Sequence, residues 1–61
     1  MIKEYDKIET LIEKSGVPIG SIGVVVSLYG KHPQCEVEIW DENECPIDVV
    51  TYSFSELKVI D

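Results

Sequence analysis

The most constraining feature of this chain is a glycine-rich loop that leads directly into an apolar, β-branched run. Three glycines, Gly16, Gly20 and Gly23, lie just before residues 24–28, whose sequence is Val-Val-Val-Ser-Leu. Each glycine can supply a positive φ angle or allow another backbone to approach closely. Residues 24–28 are of the types that fit a pleated, half-buried surface. A loop that tightens into a strand in this way is typical of a very small barrel.

The length of the chain predicts a single domain. Its 61 residues leave no room for a second one. A chain of this size buries only about 60% of the surface that it exposes when unfolded, so its stability is marginal. No apolar run approaches the ~20 residues of a membrane span, and the first residues lack the pattern of a secretory signal. We therefore expect one soluble, cytoplasmic domain over residues 1–61.

The charge of the chain is strongly acidic. Twelve carboxylates face five lysines, there is no arginine, and the formal net charge is −7. Such a surface repels phosphate backbones and lacks the side chain that binds phosphate in a bidentate way, which disfavours nucleic-acid binding. Two interpretations remain open. The charge attracts a basic partner, or it only keeps a small domain soluble.

Two cysteines, Cys35 and Cys45, are too few for a disulfide scaffold, and a cytoplasmic location would keep them reduced. With a single histidine, His32, they also fall short of the four ligands of a structural zinc site. We expect free thiols, at least one of them partly buried.

Five short strands are predicted. Residues 6–12 alternate as a strand, although apolar residues near the N-terminus also recur at helical spacing. Further strands are expected at residues 24–29, 35–41 and 45–52, separated by a long loop at 14–23 and by turns at 30–34 and 41–44. Ser53 and Glu56 fit a capping box, which predicts one helical turn before a last strand that ends near residue 60.

Alternation also predicts which side chains face the core. Val24, Val26 and Leu28 are expected to share one face of the second strand. In the third strand, one set is expected inside: Cys35, Val37 and Ile39. In the fourth strand, the inward residues are predicted to be Ile47 and Val49, with a bulge at Val49-Val50 as the alternative.

The hairpin between the third and fourth strands is predicted to turn at Glu42 and Asn43. A two-residue turn there pairs Trp40 with Cys45 and pairs Cys35 with Val50. The two cysteines then lie at opposite ends of the hairpin, beyond the ~7 Å between Cα atoms that a disulfide allows.

Together these elements predict an all-β fold, a small five-stranded SH3-like barrel with a short helical turn before the last strand. Closing the sheet would also remove the free edges that isolated strands expose.

Several stretches resemble a known pattern: Asp6-Lys7-Ile8, residues 16–26, residues 35–41 and Leu57. The chain is similar to short bacterial proteins known only as a domain-of-unknown-function family, related to KOW and other SH3-like barrels. That pattern has a leading Asp-x-Val strand, a Gly-x-x-x-Gly-x-x-Gly-x-Val-Val turn and strand, and a Leu turn near the end. Members are often encoded near toxin genes, so the resemblance implies an immunity or antitoxin role.

The chain departs from this pattern in two places. Trp40 stands where phenylalanine is common, and Asn43-Glu44 stands where a turn glycine is usual. The second departure bears on the geometry of the turn between the third and fourth strands.

Few residues are suited to catalysis. His32 lies between Lys31 and Pro33 in a predicted loop, where a lone histidine is most often solvated. Neither the cysteines nor the serines have a base at a recognisable spacing. The glycine-rich stretch lacks the Gly-Lys-Ser/Thr ending of a phosphate-binding loop, and the acidic run after Trp40 lacks the order of a calcium loop. We predict a protein that is not an enzyme and needs no cofactor or metal.

The outward face of the third strand is the candidate binding surface. An outward tryptophan among carboxylates provides an aromatic anchor with a charged rim, which suits a basic partner. The alternative is that Trp40 covers the open end of the barrel or packs on Tyr29 or Tyr52. The predicted partner-binding residues are Glu36, Glu38, Trp40, Asp41, Glu42, Glu44 and Asp48.

The sequence thus predicts an acidic protein-binding domain, and the resemblance implies an immunity or antitoxin protein that neutralises a basic nuclease-type toxin. The alternative is a structural or regulatory interaction module, stable as a homo-oligomer, with no toxin partner. A nucleic-acid-binding barrel of the KOW type is disfavoured by the charge.

Overall fold

The structure, a computed structural model, describes residues 2–60. It contains five strands: β1 (Lys7–Thr10), β2 (Ile22–Leu28), β3 (Gln34–Trp40), β4 (Pro46–Ser53) and β5 (Leu57–Val59). A 3-10 turn, Phe54–Glu56, lies immediately before β5. All neighbouring strands are antiparallel, in the order β4-β3-β2-β1-β5. The predicted all-β fold, with five strands and a helical turn before the last one, is confirmed.

The sheet keeps two free edges. Among residues 2–60, β4 and β5 are the outer strands and no ladder joins them. The sheet is therefore not closed by strand pairing. The expectation that closure removes its edges is wrong, because β5 pairs with β1 and not with β4.

The inner face of the sheet forms the core. In β3, the side chains of Cys35, Val37 and Ile39 are buried as the alternation predicts. Ile8 of β1 and Val25 of β2 pack into the same cluster. The β1 strand is shorter than predicted, and its buried residues, Ile8 and Thr10, alternate with half-buried ones because successive side chains point to opposite faces.

One loop glycine, Gly20, and one strand glycine, Gly23, meet different structural requirements. Gly20 adopts a φ of +85°, which L side chains rarely adopt. Gly23 has no such torsion. It lies opposite Ile8 and Ile39, and a Cβ there would stand only 2.4 Å from the backbone oxygen of Glu38. Gly23 is therefore required for the close approach of β2 and β3.

The prediction that Val24, Val26 and Leu28 share a face is wrong. The register between β2 and β3 shifts between Val25 and Ser27, which makes Val26 a bulged residue. Val24 lies opposite Glu38 on the outer face, whereas Leu28 lies opposite Cys35 on the inner face. A bulge adds one residue to a strand, so the alternation reverses beyond it.

The predicted inward residues of β4 are also wrong. Ile47 and Val49 are 61% and 54% exposed, whereas Val50 and Tyr52 are buried. The reason is their pairing: Val50 lies opposite Val37 and Tyr52 opposite Cys35, so both continue the core.

At the end of the hairpin away from the turn, the pairing of β3 with β4 is shifted by two residues from the predicted register. Cys35 lies opposite Tyr52, not Val50, and Trp40 lies opposite Pro46, not Cys45. One residue comes from a register shift beside Ile39 and Trp40. The other comes from a longer turn, in which the Asp41 N–H donates to the Cys45 carbonyl oxygen at 2.8 Å. Both cysteines are nevertheless free, as predicted.

Candidate partner-binding surface

The outer face of β3 presents Glu36, Glu38 and Trp40. All three side chains are half-buried and alternate with the buried residues of the strand. They share this face because successive side chains of a strand point to opposite sides of the sheet.

Trp40 lies at the end of β3 and outside the core cluster. Its neighbours across the sheet are Ile22 on β2 and Pro46 on β4. The indole Nε1–H donates to Glu38 Oε1 at 3.0 Å. This hydrogen bond holds the ring beside a carboxylate and orients it on the outer face.

A lysine of the same chain already lies over the indole ring. Lys7 Nζ is 5.9 Å from the centroid of the Trp40 ring, within the range of a cation–π contact. Lys7 reaches this position because β1 pairs it with Val24, which in turn lies opposite Glu38. The ring face is therefore a position that accepts a cation.

The two alternative neighbours of Trp40 lie elsewhere. Tyr52 is buried on the inner face, and Lys14 Nζ lies 5.2 Å from the centroid of its ring. Tyr29 is exposed, and its hydroxyl donates to Glu36 Oε2. This hydrogen bond to a carboxylate raises the pKa of the Tyr29 phenol, because it stabilises the protonated form.

Glu36 is restrained on the outer face by two hydroxyl groups. Its Oε2 accepts hydrogen bonds from the hydroxyls of Tyr29 and Thr51, the second at 3.1 Å. This side chain links β3 to β4 on the outer face, so part of its capacity to accept hydrogen bonds is already used.

Asp41 has a structural role in the turn. Its Oδ1 accepts the N–H groups of Asn43 and Cys45 at 2.8 and 3.0 Å. Glu42 and Glu44 are exposed beside it. The turn therefore offers the carboxylates of Glu42 and Glu44 to a partner, while Asp41 holds its shape.

Asp48 does not share the face of Glu36, Glu38 and Trp40. It lies opposite Ile39, at the exposed end of the inner face. Its Oδ1 accepts the N–H of Val49 at 2.8 Å. The predicted set is thus divided into an outer face, a turn and one residue on the other side of β4.

The net charge of the chain is concentrated in one part of it. Residues 33–57 contain seven of the twelve carboxylates and none of the lysines, whereas the remaining residues contain five of each. This acidic segment comprises the β3–β4 hairpin and the 3-10 turn. This uneven distribution can be read from the positions of the lysines in the sequence, although the total net charge does not report it.

The residues that complete the outer face around Trp40 were not predicted from the sequence. Two rows cross the sheet there: Glu9, Ile22, Trp40 and Pro46, and Lys7, Val24, Glu38 and Val49. No local sequence signal joins these residues, because they meet only through the register of β1, β2, β3 and β4.

Groups suited to catalysis are not brought together. His32 is exposed in the loop before β3. Burial raises the pKa of the Cys35 thiol, with a further contribution from the charge of Glu36, so the reactive thiolate form is disfavoured. Within residues 2–60, no pocket is found, and no group of three or more potential ligand side chains is arranged to hold a metal ion.

Over the same residues, no helix has the length and apolar composition needed to cross a membrane. In comparisons with known proteins, no family model matches the chain, and neither the curated proteins nor the solved structures give a significant match. The resemblance to the bacterial SH3-like family therefore stays a prediction from the residues quoted above.

Proposed function

We propose that this chain is a non-enzymatic protein-binding domain that presents the outer face around Trp40 to a basic partner. The observation that carries the proposal is the position of Lys7 Nζ over the Trp40 ring, beside the Glu38 carboxylate. A cationic side chain is already accommodated there, and a lysine or arginine of a partner can replace it.

The distribution of charge supports the same proposal. The acidic segment, residues 33–57, contains no lysine or arginine of its own, and the cations that reach it among residues 2–60 are Lys14 at Glu56 and Lys7 over Trp40. A field of one sign attracts an oppositely charged protein and increases its rate of association. The binding residues in this proposal are Glu36, Glu38, Trp40, Glu42 and Glu44, and Asp41 positions the turn.

The particular role that we propose is that of an immunity or antitoxin protein for a basic nuclease-type toxin. An acidic domain can occupy the basic cleft with which such an enzyme holds nucleic acid. This role follows from the family resemblance together with the charge. A structural or regulatory interaction module with the same binding face is the alternative.

The binding face is tested with a lysine-rich decapeptide as the probe, followed by calorimetry. We expect binding at 50 mM salt that weakens at least tenfold by 500 mM, because the Debye length falls from roughly 14 Å to roughly 4 Å. Trp40→Ala and Glu38→Lys should each weaken binding at least tenfold while the circular dichroism spectrum is kept, since neither residue belongs to the core cluster.

Glu13→Lys is the matched control, because Glu13 is exposed and lies outside the acidic segment. An equal loss of binding with Glu13→Lys and with Glu38→Lys would show that only total charge matters and would contradict a specific face. For the toxin role, the test is rescue of cells that express a basic reading frame adjacent to this gene. If the folded protein does not rescue these cells, the toxin role is contradicted and the structural or regulatory role remains.

A further inference from the structure

The β4 strand has an accessible edge. It is the outer strand of the sheet, and among residues 2–60 no other strand pairs with its free side. The residues from Pro46 to Val49 are all exposed, including the apolar side chains of Ile47 and Val49. An exposed edge of this kind can accept a further strand from another chain.

Only local features of β4 oppose the addition of a further strand at this edge. Pro46 has no N–H to offer, and a register shift lies beside it. The N–H of Val49 donates to the carboxylate of its neighbour Asp48 at 2.8 Å. A partner strand can supply a carbonyl oxygen to this N–H once the Asp48 side chain rotates away.

We propose that the β4 edge binds an extended, basic segment of the partner protein as an additional strand. The inference rests on the proposed function and specifies how the partner is held. The carbonyl oxygens of the added segment would accept hydrogen bonds from N–H groups of β4, including that of Val49. Its side chains would alternate, with cations near Asp48 on one face and apolar groups beside Val49 on the other.

Charge complementarity favours a basic segment over a second copy of this chain. Pairing β4 with its own copy would bring two acidic segments together, each with seven carboxylates and no lysine. Like charges placed opposite each other on neighbouring strands are destabilising. A segment with lysine or arginine at every second position instead places its cations on the face of Asp48, and its other side chains lie on the face of Val49 and Glu38.

The test uses the full chain and an octapeptide of alternating lysine and valine as the probe. A matched peptide carries N-methyl groups on two consecutive central residues, which removes one donor on each edge but keeps the charge. We expect the first peptide to slow hydrogen exchange of the Val49 amide and to bind about tenfold more tightly than the methylated one, since one hydrogen bond to β4 is lost and the N-methyl group on that edge obstructs the pairing.

The position of the added strand is tested with matched variants of the two edges. Val49→Lys on β4 should weaken binding at least tenfold, whereas Val59→Lys on β5 should not, although both valines are exposed. If Val49→Lys fails to fold, Ile47→Lys replaces it, because Ile47 is the more exposed of the two.

The outcomes separate this inference from the proposed function. Binding that depends on Trp40 but leaves Val49 exchange unchanged, with equal affinity for both peptides, overturns strand addition alone. No binding of either peptide at 50 mM salt overturns both proposals. Protection of the Val49 amide in a dimer without peptide identifies a second copy as the occupant and also overturns the inference.

Discussion

At the scale of single residues, Glu44 occupies a backbone conformation that glycine adopts most readily. Its φ is +62°, in the turn between β3 and β4. A left-handed conformation costs a residue with a Cβ about 1–2 kcal/mol, part of which glycine loses again through its greater freedom when unfolded. The Glu44 backbone is therefore held in this conformation against local strain.

We expect Glu44→Gly to raise the free energy of unfolding by about 0.5–1 kcal/mol, because the strain at this torsion is removed. Urea denaturation monitored by the fluorescence of Trp40, the single tryptophan, measures the change. The control is Glu44→Ala, which removes the same charge but keeps a Cβ. Equal stability of the two variants would show that charge, not backbone strain, sets the effect.

At the scale of elements, the pairing of β2 with β3 depends on Gly23. A Cβ at this position would lie 2.4 Å from the Glu38 carbonyl oxygen and 3.1 Å from Val37 Cγ1. Neither neighbour can move without disturbing the centre of the sheet, because Val37 is part of the core.

We therefore expect Gly23→Ala to lower the free energy of unfolding by about 3 kcal/mol or more, enough to unfold a domain of this size. Thermal denaturation followed by circular dichroism measures this loss of stability. Ser27→Ala in the same strand is the control and should change stability by less than about 0.5 kcal/mol, since Ser27 is exposed. A folded, stable Gly23→Ala protein would contradict the close approach.

The 3-10 turn before β5 is held by Glu56. Its Oε1 accepts the Ser53 N–H at 2.9 Å and forms an ion pair with Lys14 Nζ at 3.2 Å. The hydrogen bond from the Ser53 backbone, aided by Lys14, lowers the pKa of Glu56 below its usual value of 4.5. These contacts join the turn to the loop after β1.

Because the pKa of Glu56 is lowered in the folded state, its ionised side chain contributes fully to the free energy of unfolding at neutral pH. This contribution is lost as the pH falls below about 4.5 and through the folded-state pKa. We expect Glu56→Gln to cost about 1 kcal/mol at pH 7 and much less at pH 3, as measured by urea denaturation at both pH values. Glu13→Gln, an exposed carboxylate, is the control; an equal cost for Glu56→Gln at both pH values would contradict the ionic role.

At the scale of the whole molecule, the fold places six of the seven carboxylates of the acidic segment on the β3–β4 hairpin, at one side of the strand order, whereas Glu56 lies beside β5. β3 and β4 lie at one end of the sheet, whereas four of the five lysines precede β3 and the fifth, Lys58, lies in β5 at the opposite edge. Repulsion among the seven carboxylates opposes folding, and salt screens it.

We expect the melting temperature to rise with added salt, most steeply below about 0.1 M, where the Debye length exceeds about 10 Å. Glu42→Lys should raise it at low salt more than Glu13→Lys does, although both residues are exposed and the change in net charge is the same. Equal effects of the two variants would indicate that the repulsion is spread over the whole surface.

Much of the fold could be predicted because single strands carry their own signals. The alternation in β3 predicts both its buried side and the outer position of Trp40, since no bulge interrupts it before its last residue. The free cysteines and the helical turn before β5 also follow from local patterns. The assignment in β2 fails because the register shift at Val26 reverses its alternation, and the assignment in β4 fails because pairing with β3 places Val50 and Tyr52 on the inner face.

The sequence by itself determined the all-β class, the number of strands, the inward residues of β3 and the acidic excess, because these depend on neighbours along the chain. Only the tertiary structure decided that Lys7 lies over Trp40, that Asp48 faces away from Glu38, and that β4 keeps a free edge. The physical reason is that cross-strand register, set by bulges and by the packing of one strand on the next, is not written in any single strand.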